Sequence, residues 1–378
     1  MSERGTFTRV AYARAGVDVA AGDRAVELMR AAVESTRRPE VLGGLGGFGS
    51  AFAIPEGISE PVIVSSTDGV GTKTAIAAAL GRFDTIGIDL VGMCADDVVC
   101  SGAEPVAFLD YIAVGRLDPR NVAELVAGVA DGCRQAGAAL VGGETAEHPG
   151  LMEAGEFDMA GFCIGVAERS GLLDTTTARA GDAIVGLGAS GLHANGYSLV
   201  RALVAQHDLD LRAPYQALLR RVLGDRTATT CLEREPEHGF ATLGEVLLTP
   251  TRVYARDVLA IRAALAADGV GVRGIAHITG GGLPGNVPRA LPAGLGARLR
   301  PSAWPLPSVM RLFGVLGGIE DDELRATFNG GLGMVLIVPD DAAERTVELA
   351  GERGIPAWVV GEVVDPGDLG DRRYGEAT

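Results

Sequence analysis

Short apolar runs rich in β-branched residues, each stopping at glycine or acid and followed by helix-forming chain, recur through the sequence and restrict it to an α/β architecture. PVIVSST at 61–67 reads as a buried strand that ends at Asp68-Gly69, with TAIAAAL at 74–80 as the helix behind it. AALVGGETAEHPG (138–150) and FDMAGFCIGVAER (157–169) supply two more strands, the first running into glycine and acids. DAIVGLGASGLHANGYSLVRALV (182–204) is strand, glycine loop, helix, and GIAHITGGGLPGNVPRAL (274–291) repeats that order. FNGGLGMVLIVP (328–339) adds a glycine turn and a buried strand. This grammar consumes glycine: 55 of 378 residues are Gly, roughly twice the usual share of about 7%, and no G-X-Y repeat is present, so they serve loops.

Two helices are legible between the strands. Residues 86–100 carry apolar side chains at helical spacing, and 119–136 has a cap at Asp118, Pro119 at its first position, one stripe of Val122, Leu125, Val126 and Val129, and a stop at Gly137. The polar, turn-rich SGLLDTTTARAGD (170–182) is the expected boundary between domains 1–172 and 173–378. Residues 207–243 are charged and without period, and are expected to form an irregular surface excursion.

Charge and cysteine content exclude several classes. A net charge of −16 leaves no basic footprint for nucleic acid or an anionic membrane. Five cysteines with no C-x-x-C pair argue against a disulfide framework or a structural zinc site, and point to a reducing cytoplasm. No apolar run approaches membrane-spanning length, and the first residues lack a signal segment.

Several clusters have the composition of a nucleotide-phosphate site. In Asp68-Gly69-Val70-Gly71-Thr72-Lys73 the glycines let backbone N–H groups approach an anion, Thr72 offers a hydroxyl, Lys73 a compact cation and Asp68 a ligand for Mg²⁺; a plain turn with an exposed lysine is the alternative. Lys73 is the only lysine in the chain; every other basic residue is arginine. Asp89, Asp96 and Asp97 lie in the apolar stretch 86–100 with no basic residue nearby in sequence, so either a bound Mg²⁺ offsets their burial or they cap and solvate a helix end. Gly142-Gly143-Glu144-Thr145 follows a strand, with Glu147 near and His148 as a base or an ordinary loop histidine. Ser190–Gly196, with His193 and Asn195, and His277–Gly282, with Thr279, Gly280 and Gly281, suit a phosphate or ribose. Asn329 in the 327–333 turn is a further candidate. The chain has no G-x-G-x-x-G in its first βα turn and no G-x-S-x-G elbow, which removes dehydrogenase and serine-hydrolase readings.

The motifs AGVDVAAGDRAVELM, RRPEVLGGLGGFG, STDGVGTK, FDTIGIDL, GAEPVAFLDYIAVG, LVGGETAEHPG, SGLHANGYSLVR, TPTRVYA, AHITGGGLPGNVPR and TFNGGLGM, in that order, resemble the phosphoribosylformylglycinamidine cyclo-ligase family from about residue 12 to about residue 364. The resemblance implies a two-domain α/β (α+β) fold. An N-terminal mixed sheet would form a barrel across a homodimer, a C-terminal α/β sandwich domain would follow, and ATP and formylglycinamidine ribonucleotide would lie at the domain junction. It also implies that ATP phosphorylates the formyl oxygen and that the ribosyl-linked nitrogen then closes the ring. On that expectation Lys73, Asp97, His193 and Glu144 are catalytic. Asp68, Asp96, Asp97 and Glu144 hold Mg²⁺, and Asp68, Gly69, Gly71, Thr72, Lys73, Gly143, Thr145, Asn195, His277, Thr279, Gly280, Gly281 and Asn329 bind the nucleotides. The chain departs from the family pattern at Ala13, Arg14, Asp96, His148, Ala194, Ala326 and Gly330, which leaves room for a paralogue acting on a related amidine. Within the wider superfamily, selenophosphate synthetase is disfavoured because no Cys precedes position 94, and a hydrogenase-maturation dehydratase because no terminal Cys is present. A catalytically silent nucleotide-binding regulator is the alternative from another class.

Overall fold

The computed structural model describes residues 16–44 and 46–377; the expectations at Ala13 and Arg14 fall outside them. Twelve strands are described. A two-residue ladder pairs β1 (Val41–Leu42) with β2 (Ala51–Phe52). A four-stranded sheet follows from β3 (Pro61–Gly69), β4 (Glu104–Val114), β5 (Ala139–Glu147) and β6 (Phe157–Glu168), in the order β3-β6-β4-β5. A six-stranded sheet comprises β7 (Ala183–Gly188), β8 (Gly274–His277), β9 (Gly296–Leu299), β10 (Leu332–Val338), β11 (Ala357–Val364) and β12 (Tyr374–Glu376), in the order β12-β9-β11-β7-β10-β8. Its pairs are antiparallel except β12 with β9. The two sheets draw on separate stretches of the chain, 61–168 and 183–376.

The helices Ile86–Cys100 and Pro119–Ala136 cover one face of the four-stranded sheet. The second begins and ends as its sequence dictates: the Asp118 carboxylate accepts from Arg120 N and Asn121 N, Pro119 opens the first turn, and Gly137 is left-handed at φ 81°. The two helices meet at glycine. A methyl group on Gly87 would collide with Val129 N and Leu125 O, and one on Gly128 with Asp84 O, so the backbones approach more closely than side chains would allow. All of Ile86–Cys100 is buried except Asp97 and Cys100, because this helix also packs against β8 of the second sheet.

Three expectations need correction. β3 is not buried on both faces: it is an edge strand, and Ile63 on the face away from the helices is 63% exposed. Along β6 the buried Phe157, Met159 and Cys163 alternate with exposed Asp158, Ala160 and Phe162, which is the period of a sheet covered on one side. Gly142–Thr145 do not follow a strand but lie within β5, paired in parallel with β4. Residues 207–243 are no irregular excursion: they hold the helices Tyr215–Leu223 and Asp225–Arg234 and lead into Leu243–Leu247, with Tyr215, Leu219 and Ala228 fully buried. The apolar residues there, Tyr215, Leu218, Leu219 and Val222, have helical spacing that the surrounding charge obscures.

Candidate active site at the junction of the two sheets

Because Ile86–Cys100 lies between the sheets, its carboxylates face residues of the C-terminal half. Asp89 and Asp96, seven residues apart, share one face. Asp89 is fully buried and paired with Lys73 at 2.8 Å; its carboxylate also accepts from Thr251 N at 2.8 Å and Thr251 Oγ1 at 2.7 Å. Lys73 Nζ reaches two further acceptors, the carbonyls of His193 at 3.0 Å and Thr249 at 2.7 Å, and lies 5.5 Å from the centre of the Tyr197 ring. Burial pulls Lys73 down and Asp89 up, and each partner's charge opposes that pull. The three N–H groups of the ammonium are therefore spent inside the protein, and Lys73 is 0% exposed. This corrects its assignment as a phosphate ligand. The basic partner that the sequence around Asp89 lacks lies sixteen residues earlier, across a turn.

Asp96 Oδ1 accepts from Tyr254 N at 2.9 Å, at the start of the helix Ala255–Ala267, while Oδ2 is enclosed without a partner. Burial raises its carboxyl to about 7, opposed by the His277 charge and the backbone N–H donors. Asp97, next along the helix, turns the other way and is 39% exposed; its Oδ1 is 3.0 Å from His277 Nδ1. Burial by itself lowers the His277 pKa, but the Asp97 hydrogen bond and the charges of Asp96, Asp97 and Asp68 outweigh it and leave the imidazole raised. His277 Nε2 is buried without a partner. Asp68, at the end of β3, has its pKa raised by partial burial and by the Asp97 charge, with the Gly69 N–H at 2.7 Å opposing. Asp68 and Asp97 are thus two accessible carboxylates close enough to repel, a donor set suited to a hard cation.

His193 stands in the loop between β7 and the helix Tyr197–Gln206 with φ 61°. Its Nε2 accepts from Ser190 N at 3.2 Å, and burial, then the charges of His277, Lys73 and Arg252, push its pKa well down. A neutral ring that accepts at Nε2 carries its proton on Nδ1, which has no partner. Gly71 at φ 70° turns the chain into the helix Lys73–Leu80, and the Thr72 and Ser198 hydroxyls lie 3.2 Å apart across the junction. Asn195 Nδ2 lies 3.5 Å from the Met93 sulfur and beside Gly280.

The remaining site expectations divide. The Gly280–Gly281 turn is exposed, and Asn286 holds it through the carbonyls of Thr279, Gly280 and Gly282. Asn329 is a strut rather than a ligand: its amide is buried, donating to Gly191 O at 2.9 Å and accepting from Gly331 N at 2.8 Å. Glu144 cannot share a metal with Asp68 within one chain. Asp68, Gly161, Asp110 and Gly143 form one row across the sheet facing the helices, so Glu144 is three strands away and points to the opposite face. Among the described residues no group of three or more His, Cys, Asp or Glu forms a ready cation cage. Asp96 also leaves the metal set, since it is enclosed and caps a helix. Gly143 and Thr145 lie on β5, away from the Asp97–His277 pair. His148 is 3.1 Å from the Tyr111 hydroxyl, as an ordinary satisfied histidine would be.

Sequence reasoning missed Thr249, Thr251 and Tyr254, which receive Lys73, Asp89 and Asp96. TPTRVYA was visible as a motif, but nothing in its composition tied it to residues 73–96. It also missed Asp110, whose buried carboxyl lies against Gly143, with Oδ2 unpartnered and its pKa raised by burial to about 7.

Comparison with known proteins places this arrangement. The N-terminal domain of the AIR synthase related protein family matches residues 56–167, and its C-terminal domain matches residues 179–372. Phosphoribosylformylglycinamidine cyclo-ligase of Sorangium cellulosum is 50% identical over 360 residues, covering 95% of this chain and 97% of the relative. The enzyme of the same name from Gloeobacter violaceus is 50% identical over 354 residues, covering 94% and 97%. Among solved structures, thiamine-monophosphate kinase from Stenotrophomonas maltophilia superposes with a TM-score of 0.61 at 18% identity, covering 93% of this chain and 95% of that one. The hydrogenase maturation protein HypE in complex with ATP gives 0.61 at 18% identity, covering 94% and 91%. These two share the fold, while the relatives at half identity over nearly the whole length share much more: the chain belongs to the phosphoribosylformylglycinamidine cyclo-ligase family.

Proposed function

We propose that this protein closes the imidazole ring of 5-aminoimidazole ribonucleotide from formylglycinamidine ribonucleotide, using ATP and releasing ADP and phosphate, as a step of purine biosynthesis in the cytoplasm. The observation that carries the reading is the half identity to enzymes of that name over almost the whole chain. The amide oxygen of the substrate is a poor leaving group and phosphate a good one. The γ-phosphoryl passes to the formyl oxygen, the ribosyl-linked amidine nitrogen forms the new bond to the formyl carbon, and the carbon–oxygen bond breaks to release phosphate. The protein's work is then to hold nitrogen near carbon and to screen charge on the phosphoryl group.

Asp68 and Asp97 fit a Mg²⁺ that keeps most of its coordination for water and phosphate, which is how that ion is commonly held beside nucleotides. Bound there, it would neutralise charge on the transferring group. Asp97 keeps His277 oriented through Nδ1, and His193, in the loop after β7, holds one unspent N–H. The Gly69–Thr72 turn and Gly280–Gly281 present backbone amides to the phosphates and ribose, with Asn195 and Thr279 beside them. Lys73 acts through the His193 and Thr249 carbonyls and is a positioning residue. Glu144 points to the open face of the sheet, with Gly143 and Thr145 on either side of it along β5, and would act only with a second copy there. A homodimer closes that face as a barrel, with the chain dividing near residues 172–173.

The test is product formation. Purified protein, MgATP and formylglycinamidine ribonucleotide should yield a diazotisable aminoimidazole with one ADP per product, and no colour with substrate and ATP both present would reject the assignment.

A further inference from the structure

On the far side of the Ser190–His193 loop from the aspartates lies a second cavity, of about 920 Å³, between the helical segment 215–247 and the ends of β7, β10 and β11. Its walls carry four arginines, Arg226, Arg234, Arg252 and Arg311. On the helix Asp225–Arg234, Arg226, Thr230 and Arg234 recur every four residues and so share one face, the face turned to the cavity. Arg311 comes from the helix Ser308–Gly317 and Arg252 from the segment that also holds Thr251.

None of the four makes an ion pair among the described residues, in a chain of net charge −16 where acids are plentiful. Two of the three acids in the same walls are engaged elsewhere, and the third, Glu237, pairs with none of the four arginines. Glu235 accepts from Ser308 N at 2.9 Å and pairs with His238 at 3.0 Å. Glu245 accepts from Thr242 N and Oγ1 at 2.8 and 2.9 Å. Arg252 Nε is buried with no partner at all. Four guanidiniums with no carboxylate partner surround one concave space; Arg311 spends its Nε on the Leu306 carbonyl at 3.3 Å, Arg252 keeps a desolvated and unmet Nε donor, and together they make an anion receptor, because guanidinium forks match phosphate oxygens in pairs. The cavity is too large for a bare anion and falls in the range of small-molecule sites.

We propose that this basin binds the phosphate monoester of a ribosyl 5′-phosphate. That chemistry is common to the substrate's own phosphate and to a separate nucleotide, and naming the substrate as its source rests on the function proposed above. Occupancy reaches the aspartate site through one loop, because Ser190 lines the basin, donates its hydroxyl to Pro250 O at 2.7 Å and its N–H to His193.

Ribose 5-phosphate titrated calorimetrically into the full-length protein without ATP should bind saturably and more weakly as salt rises, while ribose itself should not bind. The double variant Arg226→Gln/Arg234→Gln should weaken binding at least about tenfold, the loss expected for removing a charge-assisted hydrogen bond. Arg311→Gln serves as an independent second variant, with circular dichroism checking that each is folded. Equal affinity in both variants, no binding to the wild type, or equal binding of plain ribose overturns the site. Competition between ribose 5-phosphate and the ring-closure substrate identifies the basin as the seat of the substrate's phosphate; simultaneous binding identifies a nucleotide effector site, and either supports the receptor. Arginine-dependent binding by a protein that makes no aminoimidazole would reject the activity and keep the site.

Discussion

Lys73 shows at the scale of one residue how a sound observation can attach to the wrong partner. Its retention as the chain's only lysine marks a position where a slim, three-donor cation is required, and the enclosure by Asp89, His193 O and Thr249 O gives the reason: a planar guanidinium has no room and too many donors there. The native protein should therefore take up an amine-reactive probe at its N-terminus alone. Lys73 should label only after denaturation, as peptide mapping would read, and labelling of the native fold would place the ammonium in solvent. Lys73→Met leaves Asp89 buried and uncompensated, so unfolding should be easier by about 3–5 kcal/mol in denaturant titration, with Lys73→Met/Asp89→Asn recovering part of that. Asp110 gives a second prediction. Its folded pKa of about 7 lies above the ordinary carboxylate value, so the native state holds this proton longer than the unfolded chain does. Stability from this group is complete in acid and is lost as pH rises from about 4 to about 7. Asp110→Asn should consequently gain stability relative to wild type between pH 5 and pH 8, by on the order of 2 kcal/mol, and a pH-independent difference would show that the carboxyl does not titrate as argued.

At the scale of elements, what was legible was what local chemistry decides. The helices at 86–100 and 119–136 and the strands ending at Gly69 and Glu168 follow from period, cap and glycine stop within a few residues of chain. The gathering of Asp68, Asp97 and His277 was foreshadowed by residue type, but their division from Glu144 was not. It depends on strand order and on which face each position takes, and a one-residue shift in register reverses the face. The helical segment 215–247 was lost for a related reason, since its few buried residues are outnumbered by surface charge. The junction of Ile86–Cys100 with Pro119–Ala136 allows a test of packing at this scale. Gly87 abuts the Val129 backbone, so Gly87→Ala must push the helices apart and should destabilise by about 1–3 kcal/mol. The same change at Gly22, which lies in the helix Val19–Glu34 with open space around it, should be neutral or slightly favourable in thermal melts, because alanine is the better helix former.

For the whole molecule the open question is what covers the uncovered face of the four-stranded sheet. Ile63, Tyr111 and Phe162 lie there at 63%, 41% and 41% exposure, in adjacent strands, while the opposite face is fully occupied by helices. Large apolar side chains gathered on one flat face in this way mark an association surface more often than a solvated one. Both edges of the sheet, β3 and β5, also present backbone groups with no strand beside them among the described residues. A second copy related by a twofold axis would satisfy the face and the edges together, since a self-complementary surface needs no other partner. The protein should accordingly run as a dimer in light scattering at micromolar concentration. Ile63→Asp/Phe162→Asp, which puts charge on that face without touching Asp68, Asp97 or His277, should shift it to a monomer of 38.8 kDa. If Glu144 works across the subunit boundary, that monomer should also lose ring closure while still binding ribose 5-phosphate, because the arginine basin lies wholly within one chain. A wild-type protein that is monomeric and fully active would remove both the barrel and the reason for placing Glu144 in the site.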